Sequence, residues 1–233
     1  MFGYNEIMHT VKILLTEFVT HDVKRFIVEK PEGYSFTPGQ ATEVAINNDE
    51  WKDKKHPFTF TSLNEDKVLE FTIKTYPVKD NPNHSGMTEQ LLSIRPGDEL
   101  LLDDPWGTIE YKGTGVFIAG GAGITPFIAI IKDLHNQGKL TGNKLFFSNK
   151  ESKDVIYETP FRGMFAPSDL VLTLTREETS GYEHGRIDEA FLKKHIDNFD
   201  QHFYVCGPKP FNAAVKETLA SLGASSDSLV FEE

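Results

Sequence analysis

The sequence predicts two domains of different fold class, an antiparallel β-barrel over residues 1–109 and an α/β domain with a parallel sheet over residues 110–233. Three observations support this division. Short β-rich runs fill the first half, strand and helix patterns alternate in the second half, and 233 residues are enough for two domains of ordinary size.

The first half contains β-rich runs separated by turn residues such as Pro31, Pro38 and Asn64. The connections are too short for crossover helices, which favours antiparallel pairing in a barrel or sandwich. One helix is expected over residues 86–92, with Thr88 as its N-cap. The predicted strands are residues 11–15, 23–28, 41–46, 58–62 and 68–74.

After Gly113 the pattern changes to strands that alternate with helices, which is typical of a parallel sheet covered by helices. The predicted strands are residues 116–119, 144–148, 170–175 and 202–206. The predicted helices are residues 126–136, 188–198 and 210–222.

Composition excludes several classes of function. With 35 acidic and 24 basic residues the formal net charge is −11, so the chain lacks the positive field that attracts nucleic acid or anionic membranes. Its single cysteine, Cys206, excludes an internal disulfide and an iron–sulfur cluster held by the chain's own thiolates. The histidines show no metal-ligand spacing, and we expect no metal site. With no signal-like start and no apolar run of spanning length, we expect a cytoplasmic protein without a membrane span.

A glycine-rich stretch, GGAGITP, follows the first strand of the second half. Gly121 and Gly123 permit a sharp turn and close approach of a ligand, and Pro126 suits the first turn of a helix. A helix start offers free N–H groups to a pyrophosphate, but the same stretch is equally compatible with a turn that binds nothing.

A second signal ends the last predicted strand. Cys206, Gly207 and Pro208 lie at its carboxyl end, the edge where open α/β sheets bind ligands. We expect Cys206 to be partly exposed there.

The motifs HPFT, GMT, PWG, GGAGITP and CGP, in this order, resemble the ferredoxin–NADP⁺ reductase superfamily, in particular its compact bacterial ferredoxin or flavodoxin reductases. The resemblance covers nearly the whole chain. It implies a flavin-binding barrel followed by a nicotinamide-binding α/β domain, and an NAD(P)H-dependent flavoprotein reductase.

For the flavin, the resemblance implies FAD rather than FMN and assigns roles to the HPFT motif. Phe58 packs beside the isoalloxazine, and the Thr59 hydroxyl bonds near flavin N5 as a catalytic group. His56 and Pro57 precede them as cofactor-binding residues. Most flavodoxin reductases have arginine in place of His56, whereas ferric reductases resemble the His-Pro-Phe-Thr form.

The resemblance also implies a flavin-phosphate segment at Gly86, Met87 and Thr88, where backbone N–H groups hold the phosphate. Lys74 on the preceding strand adds charge to it or is an ordinary solvated lysine. The cofactor-binding candidates on that strand are Thr72, Ile73 and Lys74.

For the nicotinamide nucleotide, the resemblance places Thr125 and the catalytic candidate Cys206 beside the nicotinamide. Lys150, Arg176 and Arg186 are cations that could converge on a 2′-phosphate, which favours NADPH, with NADH possible. The residues next to Arg176 also bear on nucleotide binding. Thr175 is a further cofactor-binding candidate, and Glu177 and Glu178 could neutralise Arg176 or bind a ribose diol.

The expected reaction is hydride transfer from NAD(P)H to FAD, followed by electron transfer to an external acceptor such as ferredoxin or flavodoxin. Because ferredoxins and flavodoxins are usually acidic, a reductase that serves them needs a basic docking patch on its own surface. Lys52, Lys54 and Lys55 are candidates for that patch, and the alternative is that they belong to an ordinary solvated loop. Two other functions stay open: a reductase of free flavin or ferric chelates, and a non-catalytic nucleotide-binding electron-transfer subunit.

Overall fold

A computed structural model describes residues 8–77, 86–107 and 109–231. The chain divides into two compact units, Met1–Gly107 and Thr108–Glu233, which we call the first and the second unit. The outer ends of the two predicted domains, residues 1–7 and 232–233, lie outside the described residues, as does residue 108 beside the predicted boundary.

The first unit is an antiparallel barrel of six strands in the order β4-β3-β6-β1-β2-β5. An antiparallel bridge between Phe60 and Phe71 joins the two edge strands, so the barrel is nearly closed. This confirms the predicted fold class. The strands are β1 (His9–Phe18), β2 (Val23–Glu29), β3 (Ala41–Ile46), β4 (His56–Thr59), β5 (Val68–Lys74) and β6 (Glu99–Leu102), with helix α1 (Met87–Gln90) between β5 and β6.

Aromatic side chains fill the barrel. The Phe60 ring is fully buried, with its centroid 4.2 Å from Phe36 and 5.2 Å from Phe71. Strand alternation carries the remaining inward residues into the same core, including Phe26 and Val28 of β2.

The second unit is a parallel six-stranded sheet in the order β10-β9-β8-β7-β11-β12, as the strand–helix alternation predicted. Its strands are β7 (Gly115–Gly120), β8 (Lys144–Asn149), β9 (Leu170–Leu174), β10 (Glu183–His184), β11 (His202–Cys206) and β12 (Leu229–Phe231). Its helices are α2 (Thr125–Asn136), α3 (Glu158–Met164), α4 (Glu189–His195) and α5 (Lys209–Ser221).

Helices cover both faces of this sheet. Phe146 packs edge-on against Phe191 of α4 at 5.4 Å, whereas Phe117 of β7 meets Phe127 of α2 at 5.2 Å on the other face. The strands are therefore buried on both sides and are almost continuously apolar. The chain runs outward from β7 to β8 and β9 and then returns to β11 on the other side, so the strand order reverses between β7 and β11.

One predicted helix differs in detail. Thr88 was expected to be its N-cap, but Gly86 holds that position with φ −95° and ψ 176°, and no side chain caps the helix. The helix is also shorter than predicted, four residues from Met87 to Gln90. The prediction was wrong because helical dihedral angles already begin at Met87, so Thr88 lies inside the first turn.

Candidate functional site

Strand β4 carries the HPFT motif at the edge of the barrel sheet. His56 and Pro57 are exposed, Phe58 is half-buried against the barrel core, and Thr59 is 8% exposed. Among the described residues, β4 pairs along its length with β3, where Thr42 lies opposite Phe58. The strand thus presents an aromatic ring that is fixed on one side and open on the other, which fits the planar apolar ring system of a flavin.

Strand β5 holds the three candidates of the second segment in different ways. The Thr72 hydroxyl lies 3.1 Å from that of Thr61, and the Ile73 side chain belongs to the barrel core. Lys74 Nζ lies 2.6 Å from Asp22 Oδ2. The Lys74 ammonium is therefore held in an ion pair rather than simply solvated, and the Ile73 side chain faces the core rather than a ligand.

The segment around α1 is anchored to the barrel core and to strand β2. Met87 is fully buried in the barrel core, while Gly86 and Thr88 are half-buried. Lys24 of β2 fixes the chain that follows the helix: its Nζ donates to the carbonyl oxygens of Leu91, Leu92 and Ile94 at 3.1, 3.3 and 2.8 Å. Burial lowers the pKa of Lys24, whereas nearby Asp98 opposes that shift.

Sequence analysis missed Lys24 because a lysine in a strand usually faces solvent. The signal was nevertheless present. Lys24, Phe26 and Val28 are spaced by two residues, and strand alternation puts all three on the core side.

In the second unit, two glycine-containing loops meet at the carboxyl ends of β7 and β11, where the strand order reverses. A Cβ on Gly123 would overlap the Cys206 carbonyl and lie 2.6 Å from Gly207 Cα, and one on Gly207 would lie 2.6 Å from the Phe211 ring. Gly123 is therefore required by the packing of one loop on the other, whereas Gly207 is required by the Phe211 ring of the helix that follows it. Gly121 differs, since it has φ +55° and open space around its missing Cβ.

The start of α2 follows directly. Pro126 lies in the first turn of the helix, as predicted. The Thr125 hydroxyl donates to the Ala122 carbonyl at 3.0 Å. Pro208 is the N-cap of α5, so the two loops both lead into helices at the same edge of the sheet.

Cys206 is buried, with 3% of its surface exposed, so the expectation of partial exposure was wrong. Strand β11 is an inner strand, because it pairs with β7 on one side and β12 on the other. Gly123 also packs against the Cys206 carbonyl. The proposed place of Cys206 beside a nicotinamide stays a prediction.

Three exposed cations follow three neighbouring strands. Lys150 comes directly after β8, and Arg176 and Arg186 lie two residues beyond the ends of β9 and β10. The Arg176 N–H donates to the Lys150 carbonyl at 3.0 Å. Within the part of the chain that the structure describes, none of the three pairs with a carboxylate. Their exposure and lack of anionic partners there fit the phosphate-rich end of a dinucleotide.

A carboxylate also lies among these loops. Glu177 accepts from the Ser152 N–H at 2.6 Å and from the Ser152 hydroxyl at 3.1 Å. Thr175 is tied to the neighbouring strand, since its hydroxyl donates to the Asn149 carbonyl at 3.3 Å. Glu177 thus places negative charge close to the candidate 2′-phosphate cations.

Two negative findings concern the described residues alone. Over residues 8–77, 86–107 and 109–231, no group of three or more metal-ligating side chains is clustered. Among the described helices, none combines the length and apolarity that crossing a membrane requires.

The comparisons with known proteins agree with this arrangement. Residues 8–108 match the family described as FAD-binding domain, and residues 117–217 match the family described as Oxidoreductase NAD-binding domain. A NADH-cytochrome b5 reductase 2 from Mycosarcoma maydis is 29% identical over 229 residues, covering 89% of this chain and 63% of the relative. One component of the Na(+)-translocating NADH-quinone reductase of Yersinia pestis is 27% identical over 220 residues, covering 78% of this chain and 52% of the relative.

Solved structures share the fold over almost the full chain. A ferredoxin NADP+ reductase from Neisseria gonorrhoeae with bound FAD and NADP superposes with a TM-score of 0.82 at 18% identity, covering 97% of this chain and 98% of that one. The FAD/NAD binding domain of a nitric oxide dioxygenase from Vibrio cholerae gives a TM-score of 0.84 at 20% identity, covering 96% and 97%.

This chain spans only about half to two thirds of the length of the curated relatives it matches. Within this chain, the FAD-binding match precedes the NAD-binding match. The chain contains an FAD-binding domain followed by an oxidoreductase NAD-binding domain, and it shares its fold with ferredoxin NADP+ reductase.

Proposed function

We propose that this chain is an NAD(P)H-dependent flavoprotein reductase that passes electrons to an external acceptor. The observation that carries the proposal is that one chain contains two candidate binding features. Strand β4 presents the half-buried Phe58 ring, and two glycine-containing loops meet at the carboxyl ends of β7 and β11. When bound, FAD would supply the chemistry for accepting a hydride from the reduced nicotinamide and for releasing electrons singly.

In the first unit, the chain's residues act by binding and orienting the ring system. Phe58 provides an aromatic wall, and Thr59 provides a hydroxyl beside it. Lys24 holds the chain after α1 by three carbonyl contacts, which keeps the Gly86–Thr88 segment in place. The role of that segment as a phosphate holder rests on the family resemblance.

In the second unit, the loops after β7 and β11 define where the nucleotide lies. The packing of Gly123 on Cys206 fixes the two loops relative to each other, and Gly121 leaves the edge open. Hydride transfer requires close and correct placement of two rings more than it requires acid–base groups, so positioning by these loops supplies most of the catalysis.

We propose NADPH as the favoured donor, with NADH also accepted. The charges of Lys150, Arg176 and Arg186, which have no carboxylate partner in the described chain, support NADPH. Glu177 opposes a 2′-phosphate, and the two curated relatives are both called NADH reductases. The preference is therefore a balance between three cations and one nearby carboxylate.

The acceptor is proposed to be a separate redox carrier, with ferredoxin or flavodoxin as the first candidates. The single cysteine supports an external acceptor, because the chain cannot hold its own four-cysteine cluster. The candidate docking lysines are partly compensated: Lys55 Nζ lies 2.7 Å from Asp103, and Lys54 Nζ lies 4.1 Å from the centre of the Trp51 ring. The three lysines therefore provide less net positive charge for docking than three unpaired lysines would.

The test is an anaerobic titration of the purified protein with NADPH, and in parallel with NADH, followed by visible absorbance. We expect a bound yellow flavin that bleaches with both nucleotides, faster with NADPH. Bleaching of added free flavin by a colourless protein would favour the free-flavin reductase instead. A protein that bleaches neither bound nor added FAD would favour the non-catalytic electron-transfer role and contradict the proposal.

A further inference from the structure

Asn149, the last residue of β8, has a buried side-chain amide without a hydrogen-bond partner. The residue is 5% exposed, and neither Nδ2 nor Oδ1 has a partner anywhere in the described part of the chain. It is the one described amide side chain in which both polar atoms are in this state. Buried polar groups are almost always paired, because leaving one unpaired destabilises the protein. The Asn149 amide therefore requires an explanation.

The position of Asn149 suggests one. Ser148 pairs in register with Gly120 and Asn149 pairs with Leu174, so Asn149 lies level with the Gly121 turn, where β7, β8 and β9 all end. Open space surrounds the missing Cβ of Gly121, and the next residue after Asn149 is the exposed Lys150. An unpaired amide thus lies beside an opening at the ligand-binding edge of the sheet.

We propose that the Asn149 amide is a specificity-determining contact for the adenosine half of a pyridine nucleotide, an inference that rests on the proposed function. Nδ2 is a donor and Oδ1 an acceptor, side by side. An adenine edge offers the complementary pair, an amino donor next to a ring-nitrogen acceptor, and asparagine recognises adenine in this bidentate way in other settings.

The order of the strands indicates that Asn149 contacts the adenosine half of the nucleotide rather than the nicotinamide half. Asn149 lies on the β8–β9 side of β7, together with Lys150 and Arg176. Cys206, the last residue of β11, and Gly207 after it lie on the opposite side of β7. A dinucleotide that extends along this edge with its nicotinamide near Cys206 therefore places its adenosine near Asn149.

A trapped water is the competing explanation for the amide, and the two make opposite predictions for the free protein. If the amide is unpaired without nucleotide, leucine at this position removes an uncompensated polar group and leaves stability equal or higher. If a buried water completes its hydrogen bonds, leucine breaks that network and lowers stability.

The experiment compares FAD-loaded wild type, Asn149→Leu and Asn149→Ala by calorimetric titration with ADP-ribose and with nicotinamide mononucleotide, together with thermal unfolding without nucleotide. ADP-ribose carries the adenosine half and no redox chemistry, so the readout does not depend on turnover. We expect both variants to bind ADP-ribose about tenfold more weakly. Nicotinamide mononucleotide should bind them as it binds wild type, and Asn149→Leu should unfold at no lower temperature than wild type.

Asn143→Leu is the matched control, because Asn143 is also a buried amide beside β8 but is fully paired. We expect that variant to unfold at a lower temperature and its folded form to bind ADP-ribose normally. Wild-type affinity of the Asn149 variants for ADP-ribose, or a loss confined to nicotinamide mononucleotide, would overturn the inference while leaving the proposed function intact. A wild type that binds neither ligand would overturn the proposed function, and the inference with it.

Discussion

Buried asparagine side chains at the two ends of the parallel strands differ in their hydrogen bonding. We call the side of the sheet where the strands begin the amino edge and the side where they end the carboxyl edge. At the amino end of β8, Asn143 uses its whole amide: Oδ1 accepts from the Gly115 N–H at 3.1 Å, and Nδ2 donates to the Leu140 carbonyl at 3.2 Å. At the carboxyl end of the same strand, the Asn149 amide is unpaired among the described residues. The Asn143 amide therefore contributes to the fold, whereas the Asn149 amide is the one that we propose contacts a ligand.

At the amino edge, the Tyr204 hydroxyl also hydrogen-bonds backbone groups. Its hydroxyl accepts from the N–H groups of Lys112 and Gly113 at 2.9 and 3.0 Å and donates to the Gly113 carbonyl at 2.7 Å. The carboxyl edge has instead an open Gly121 and the exposed Lys150 and Arg176. Substitutions at the two edges should therefore separate stability from nucleotide binding.

The largest effect is expected from Asn143→Leu, at the amino edge. The change leaves the buried Gly115 N–H without its acceptor and removes one of two donors to the Leu140 carbonyl, which keeps the main-chain N–H of Asn143 at 3.1 Å. We expect a loss of about 3 kcal/mol in the free energy of unfolding. Urea denaturation measures it. A loss below about 1 kcal/mol, the net worth of a single ordinary hydrogen bond, would show that the amino edge does not depend on this amide, and the contrast between the edges would fail.

Gly123→Ala should have the next largest effect, because its Cβ would push against the main chain at Cys206 and Gly207. Overpacking of this kind costs about 2–3 kcal/mol, and we expect nucleotide binding to weaken with it as the two loops move apart. Gly121→Ala is the control. It meets no atom but has φ +55°, so a cost of only about 1 kcal/mol is expected. Equal losses in the two variants would contradict loop-on-loop packing.

Arg176→Ala tests the carboxyl edge directly. We expect NADPH binding to weaken by about 1.5–3 kcal/mol, the range for hydrogen bonds to charged groups, with NADH nearly unchanged. Glu177→Gln removes the nearby negative charge and keeps one of the two oxygens that accept from Ser152, while the other becomes an NH2 donor. It should strengthen NADPH binding relative to NADH binding. Equal losses with both nucleotides in Arg176→Ala would exclude a role in 2′-phosphate recognition.

The smallest effect concerns Tyr204 and pH. Tyr204→Phe should cost about 1 kcal/mol at neutral pH through the lost hydroxyl contacts. Burial raises the pKa of Tyr204, so the folded protein keeps this proton at a pH where the unfolded chain has released it. The free energy of unfolding should therefore fall as pH rises above about 10, and fall less steeply in Tyr204→Phe. Identical pH slopes in the two proteins would contradict this assignment.

Much of this architecture could be predicted from the sequence because it depends on local patterns. Alternation in the first half predicted the barrel, and the strand ends before Gly121 and Gly207 predicted one ligand edge. Pro126 marked the first turn of α2. These features follow from residues close together in the chain.

Other features depend on neighbours that are distant in the chain. The burial of Cys206 results from β7 and β12 on either side of it, and the Lys74–Asp22 ion pair joins two strands. The unpaired state of Asn149 is likewise a property of its surroundings, which no spacing rule reports. Sequence patterns therefore located the candidate site, whereas the pairing of its polar groups required the structure.

Amide hydrogen exchange of the FAD-loaded protein, with and without saturating ADP-ribose, tests the contrast between the two edges most directly. We predict that ADP-ribose slows exchange at the carboxyl edge, in the loops at residues 121–124, 150–152 and 175–177. Exchange at the amino edge, at residues 112–115 and 139–143, should not change. Protection of the amino-edge segments without protection of the carboxyl-edge loops would contradict the assignment of nucleotide binding to this edge.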